Sequence, residues 1–325
     1  MNKQNLALLT AGVGGAVAVS AVDFSITKTL IDIALDHEPP KILNRLQKII
    51  SRSTRTNEFL REMARTEEEL LKKENTVVKL TADDGTELTG HWIPAKEPKR
   101  IIIAMHGWRA RWSRDFGMIA DFWASEGCSV LYAEQRGQNS SSIDHMGFGL
   151  TERNDCKAWA EWASSKGLPV YLAGISMGAS TVLMSSDLPL PECVRGIMAD
   201  CAFTSPDKIW KHVVHNNLHL PYNLRSVIAN RMCKRKTGYG SEEFSTLESL
   251  RSASVPVLFL HGTDDNFVPV SMAYENYKAC ASPKRIFVVP GADHGMSYYL
   301  DRIGYENAMR SFWNDYDQNV ESSRE

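Results

Sequence analysis

The stretch Gly174-Ile175-Ser176-Met177-Gly178 decides how this chain is read. It follows the apolar run Pro169 to Ala173 and precedes the small, helix-compatible stretch Ala179 to Ser186. A G-x-S-x-G segment between a strand and a helix makes a sharp turn whose flanking glycines leave room for the serine. The Ser176 hydroxyl then projects from the sheet edge, which is where a nucleophile belongs. The alternative is a serine in an ordinary tight turn. The strand before it, the helix after it and partners further along give the segment its specificity.

Working outward, Thr76 to Leu80 and Glu87 to Ile93 read as a hairpin around Asp83-Asp84-Gly85, and Arg100 to Met105 as a buried strand. Helices then alternate with strands. Helix Arg114 to Glu126 precedes strand Ser129 to Ala133, and helix Leu150 to Ser165 precedes strand Pro169 to Gly174. The helix after Ser176 precedes strand Val194 to Ala199. This alternation predicts a parallel sheet with helices on both faces. Between Cys201 and Val255 the pattern pauses for about fifty residues, far beyond an ordinary connection, and a small helical cap over residues 202–254 is expected there. Strand Pro256 to His261, helix Ser271 to Cys280, strand Arg285 to Val289 and a terminal helix Met296 to Trp313 complete the body, residues 76–317. Residues 24–75 form a helical preface interrupted at Pro39-Pro40. Its charged segment Arg61 to Lys73 reads as a solvated helix face with no assigned partner. Residues 318–325 are a polar tail.

A serine hydroxyl needs a base to take its proton, and the base needs an acid to fix its tautomer and stabilise its cation. His294 lies in Gly291-Ala292-Asp293-His294-Gly295, directly after a strand. Asp264 and Asp265 both lie in the loop after the strand ending near Leu260, giving the order Ser, Asp, His. His261 is a second candidate base, but it precedes the acid at a strand end, where histidine is ordinarily structural. Two donors are expected for the oxyanion: the Met177 amide at the helix start, and the Trp108 amide in His106-Gly107-Trp108. His106 reads as structural, and Arg109 and Arg111 as solvated loop charges that could otherwise meet an anionic substrate. His212, His215 and His219, at i, i+3 and i+7, share one face of a continuous helix. Lacking a carboxylate or cysteine cluster, they are not read as a metal site. The chemistry requires no cofactor.

With these loops in this order, the chain resembles the α/β-hydrolase superfamily from about Val77 to Trp313. Within it, Gly147-Phe148-Gly149, Glu152-Arg153-Asn154-Asp155, Ser176-Met177-Gly178 and Asp200-Cys201-Ala202-Phe203-Thr204-Ser205 are similar to one bacterial group. That group is often membrane-anchored and is related to prolyl oligopeptidase-like and serine aminopeptidase-like hydrolases. The resemblance implies an α/β-hydrolase fold, with a mostly parallel eight-stranded twisted sheet. It places the acid three residues before Val268-Pro269, at Asp265, and leaves Asp264 to cap the loop as an Asx turn. One departure is Arg136-Gly137-Gln138-Asn139-Ser140, where relatives commonly carry R-G-H-G-x-S. Any substrate contact shared at that segment does not transfer.

Lys+Arg 37 against Asp+Glu 39 gives a formal charge of −2, with no long basic stripe, so nucleic acid is not an expected partner. The six cysteines lack C-x-x-C spacing and suggest neither zinc nor a disulfide framework. Gln4 to Val22 carry no charge and Leu6 to Val22 are apolar, between Lys3 and Asp23, so residues 1–23 are read first as a membrane anchor, with a cleaved signal peptide or a packed helix as competing readings. The expected activity is a serine hydrolase cleaving a small-molecule carboxylic ester through an acyl-enzyme. An aminopeptidase or acyl-peptide hydrolase acting on short peptides is the runner-up. A catalytically silent, membrane-associated binding protein is the alternative from another class.

Overall fold

Strand β3 (Arg100–Met105) shows why the sheet has a core on each side. All of its residues are buried, and successive side chains of a strand go to opposite faces. Ile101, Ile103 and Met105 pack with Leu131, Leu172, Val257 and Phe259. Ile102 and Ala104 pack instead with Val130, Tyr132, Tyr171 and Leu258. A strand covered on both faces needs an unbroken apolar run, and Ile101-Ile102-Ile103 supplies one.

The computed structural model describes residues 23–38, 54–141 and 143–317. The other strands are β1 (Thr76–Thr81), β2 (Glu87–Ile93), β4 (Cys128–Glu134), β5 (Val170–Ile175), β6 (Val194–Asp200), β7 (Val257–Gly262) and β8 (Lys284–Val289). They lie in the order β1-β2-β4-β3-β5-β6-β7-β8. The pairs β1/β2 and β2/β4 are antiparallel and the rest parallel. This is an α/β-hydrolase fold. The strand order reverses at β3, and in open sheets of this kind ligands bind beyond the carboxyl ends of the strands near such a reversal.

Two helices precede the sheet, α1 (residues 23–35) and α2 (Thr54–Leu71). On one face lie α4 (Glu152–Ser164), α5 (Met177–Met184), α8 (Thr246–Arg251) and α9 (Val270–Ala279), which bury Trp159, Leu183 and Leu250. On the other lie α3 (Trp112–Ser125), α10 (Ser297–Leu300) and α11 (Arg302–Tyr316), with Phe116, Trp123, Phe312 and Trp313. Between β6 and α8 stand α6 (Pro206–His212), one π-helical turn (Val213–Asn217) and α7 (Asn223–Thr237).

Several expectations need correction. The helix expected over Met296 to Trp313 is two helices, because Asp301 leaves helical geometry at φ −132° and caps α11 by accepting from the Gly304 amide at 2.9 Å. The charged segment of α2 does have a partner. Arg65, Glu68 and Glu69 face solvent, but Phe59, Thr66 and Leu70 are buried. At Gly117 of α3, an added Cβ would lie 2.7 Å from the Thr66 carbonyl carbon. Only glycine permits that approach. His212, His215 and His219 do not share one helical face, since the π turn intervenes and His219 sits at φ 54°. The insertion is helical as a whole, but α8 is not part of a cap, because Leu250 belongs to the sheet's core. Among the described residues no helix is long and apolar enough to cross a membrane. The candidate anchor up to residue 22 and the polar tail 318–325 lie outside the described residues.

Candidate active site

The turn between β5 and α5 forces Ser176 to φ 55° and ψ −117°, a conformation that costs a non-glycine residue on the order of 1–3 kcal/mol. Its surroundings allow little else. A Cβ at Gly174 would lie 2.3 Å from the Gly178 carbonyl carbon, and one at Gly178 would lie 1.9 Å from the Met105 carbonyl oxygen. The Ser176 amide donates to the Asp200 carbonyl at 2.8 Å, which ties the turn to the end of β6.

His294 lies after β8 and Asp265 after β7, at adjacent strand ends. His294 Nδ1–H donates to Asp265 Oδ2 at 2.7 Å. That leaves Nε2 to accept from Ser176 Oγ–H at 2.9 Å. The other carboxylate oxygen of Asp265 accepts from the Phe267 and Val268 amides at 2.9 and 2.8 Å. The Asx turn expected at Asp264 is therefore made by Asp265, while Asp264 is exposed and bonded to the Thr263 hydroxyl. Burial alone would raise the Asp265 carboxyl. Hydrogen bonds from His261 and His294, with the amides of its turn, hold it well below the usual carboxylate range instead. For His294, burial works against the cation, but the bond to Asp265 and its charge outweigh this and lift the imidazole above its ordinary value. His261 is fully buried, and its Nε2 donates to the Val268 carbonyl at 2.8 Å with Asp265 Oδ2 3.3 Å from the same nitrogen.

Cys201 Sγ gathers with Asp265 and His294 so that their ligand atoms lie within 4.8 Å of one another. A metal would have to displace the hydrogen bonds just described. Burial also pushes the Cys201 thiol well above its usual value. Of the cap histidines, His212 donates from Nε2 to the Asn266 carbonyl at 3.1 Å and accepts from Asn216 at Nδ1.

The loop after β3 runs beside Ser176. His106 is fully buried, accepts the Gln135 amide at Nε2, and burial lowers its pKa to about 4. Asn139, in the segment that departs from the family pattern, contacts His106 and donates to the Ala110 carbonyl, so this segment supports the loop from behind. Trp108 Nε1 donates to the Ala34 carbonyl at 2.8 Å. Arg109 is not a solvated charge. It adopts φ 51°, and its guanidinium donates to the carbonyls of Ile33, Asp36 and His37 at 2.7, 2.6 and 3.0 Å. Those acceptors close the C-terminal end of α1, where cations are favoured. Arg111 is exposed.

Ser176 and His294 open into a pocket of about 170 Å³ that sequence reasoning left incomplete. Its walls include Trp108, Asp115 and Met118, together with Phe59 and Met63 from α2. The Gly107 amide donates to Asp115 Oδ2 at 2.7 Å, and burial raises the Asp115 carboxyl to about 6. A second cavity, of about 580 Å³, lies between α1 and the cap helices. Trp108 lines both.

Residues 114–319 match the model of the prolyl oligopeptidase family, and that span contains Ser176, Asp265 and His294. The chain belongs to this family. It is 25% identical over 251 residues to the uncharacterized protein YqkD of Bacillus subtilis, covering 76% of this chain and 82% of that protein. Among solved structures it is similar to the Pyrococcus furiosus esterase Pf2001, with a TM-score of 0.62 at 20% identity, over 82% of this chain and 96% of the esterase. It is also similar to the Pyrococcus horikoshii acylaminoacyl peptidase, with a TM-score of 0.53 at 16% identity, over 74% of this chain and 41% of the peptidase. As a member of the prolyl oligopeptidase family with this fold, the chain is a serine hydrolase.

Proposed function

We propose that the chain cleaves carboxylic esters through an acyl-enzyme on Ser176, with His294 as general base and acid and Asp265 as the group that orients His294. Ser176 Oγ attacks the ester carbonyl carbon while its proton passes to His294 Nε2. The carbonyl oxygen becomes an oxyanion, taken up by the amides of Met177 and Trp108. Collapse of the intermediate breaks the bond to the alcohol oxygen, which leaves with the proton from His294. A water then repeats the sequence at the acyl carbon, its proton going to His294 and back to Ser176 Oγ as the acid is released.

The observation that supports this reading is the unbroken hydrogen-bonded chain from Ser176 Oγ through His294 to Asp265, at 2.9 and 2.7 Å. A reading as an aminopeptidase requires a carboxylate to hold the peptide amine. Among the described residues, the cavity beneath the cap offers one charged side chain, Arg225, which already pairs with Asp23, and the carboxylate in the pocket of Ser176, Asp115, already accepts from the Gly107 amide. An alkyl fluorophosphonate is expected to label the folded protein once per chain and to spare Ser176→Ala. Equal labelling of the two proteins in gel fluorescence would count against the reading.

The base must be neutral to take a proton, and its pKa is raised above 6.5. The sign follows: kcat/KM is expected to fall about tenfold per pH unit below an apparent pKa above 6.5. A pH-rate profile with an acetate ester checks this. An acid limb centred well below 6.5 would contradict it.

A further inference from the structure

We infer that the large cavity between α1 and the cap receives a long apolar acyl chain, so that the substrates are esters of medium- to long-chain carboxylic acids with small alcohols. This rests on the ester-cleaving reading above and names the substrate class of the same site.

The argument begins with the two sides of Ser176. His294 must protonate the departing oxygen, so the alcohol belongs on the side that His294 lines, which is the pocket of about 170 Å³. That side is small and holds polar groups, Arg114 and Asp115. The acyl remainder must then run the other way. On the other side of Trp108, a residue that lines both spaces, lie about 580 Å³ walled by Leu30, Ile209, Trp210, Val214 and Phe267. Phe267 stands beside the reacting groups, its ring 5.1 Å from that of His294. Met177, whose amide is assigned to the oxyanion, contributes its buried side chain to the same apolar cluster as Phe148, Ile209 and Trp210. The carbonyl of a bound ester is thereby held at the rim of an apolar space in the volume range of small-molecule sites. Arg225, the one charge among the described residues of its lining, is paired with Asp23 and also donates to the Pro221 carbonyl. Among the described lining residues, Trp210 Nε1 and Arg225 Nε are buried without a hydrogen-bond partner, but the rest of the lining is mostly apolar, and each methylene placed there leaves water.

The test uses the full chain and p-nitrophenyl esters from acetyl to decanoyl. kcat/KM is expected to rise about two- to fourfold per added methylene until the cavity is filled. Leu218, 45% exposed, lines the cavity. Leu218→Glu should flatten the slope of log kcat/KM against carbon number without threatening the fold. Ala229→Phe, deeper in the lining, should end the rise at a shorter chain. If that variant fails to fold, Leu218→Glu carries the test. A short-chain fluorophosphonate separates the two readings. Labelling of Ser176 together with a flat or falling slope overturns the acyl cavity and leaves the esterase reading standing. Absence of labelling in folded protein overturns both. An unchanged slope in both folded variants places the chain elsewhere and overturns the inference.

Discussion

Replacing Ser176 with alanine is expected to lower kcat for ester hydrolysis by about 10⁶-fold, and His294→Ala by a similar amount. The reason is geometric. Ser176 Oγ and His294 Nε2 lie 2.9 Å apart, so each makes the other competent, and removing either leaves an unactivated partner. The double variant should therefore be scarcely worse than either single one. Stability should hardly change in Ser176→Ala, because alanine meets the same backbone demand at φ 55° that serine already tolerates. Single-turnover kinetics beside a thermal melt would check both parts. Additive losses in the double variant would argue that the two residues do not act as a unit.

Asp265→Asn should cost about 10⁴-fold in kcat while keeping the loop in place. Asparagine can keep a carbonyl oxygen on the Phe267 and Val268 amides. Its NH₂ then faces His294 Nδ1, which must become an acceptor. The proton moves to Nε2, where it points at Ser176 and blocks the base. The substitution also removes the anion that raises the His294 pKa. The acid limb of whatever activity survives should shift to lower pH than in the parent. A parallel fall in activity with no movement of the limb would show that Asp265 serves only the loop.

The sheet and the three loops around Ser176 were legible because each carries its own local chemistry: apolar runs of strand length, a glycine-flanked elbow, and glycine-bounded turns after strands. Asp264 and Asp265 were harder to separate. Both have the right residue type in the same loop, and only three-dimensional geometry shows one carboxylate serving two backbone amides and an imidazole at once. The contributions of Phe59 and Met63 to the pocket were not legible, because an amphipathic helix reveals which of its faces is buried but not against what. Arg109 misled for a related reason. A loop arginine is usually solvated, and the acceptors that bury this one are main-chain carbonyls of a segment more than seventy residues earlier, which no side-chain pattern announces. The break at Asp301 carries a signal, an aspartate ahead of a fresh helical period, which the apolar spacing on either side masks.

The leading helix is thus masonry of the hydrolytic centre and no mere spacer. A chain trimmed to begin at the first strand would lose one whole wall of the large cavity and strip the Arg109 guanidinium of three acceptors at a stroke. That cation would turn toward water beside the loop proposed to hold the oxyanion. Anyone shortening this enzyme for convenience should expect to keep the sheet and lose the catalyst.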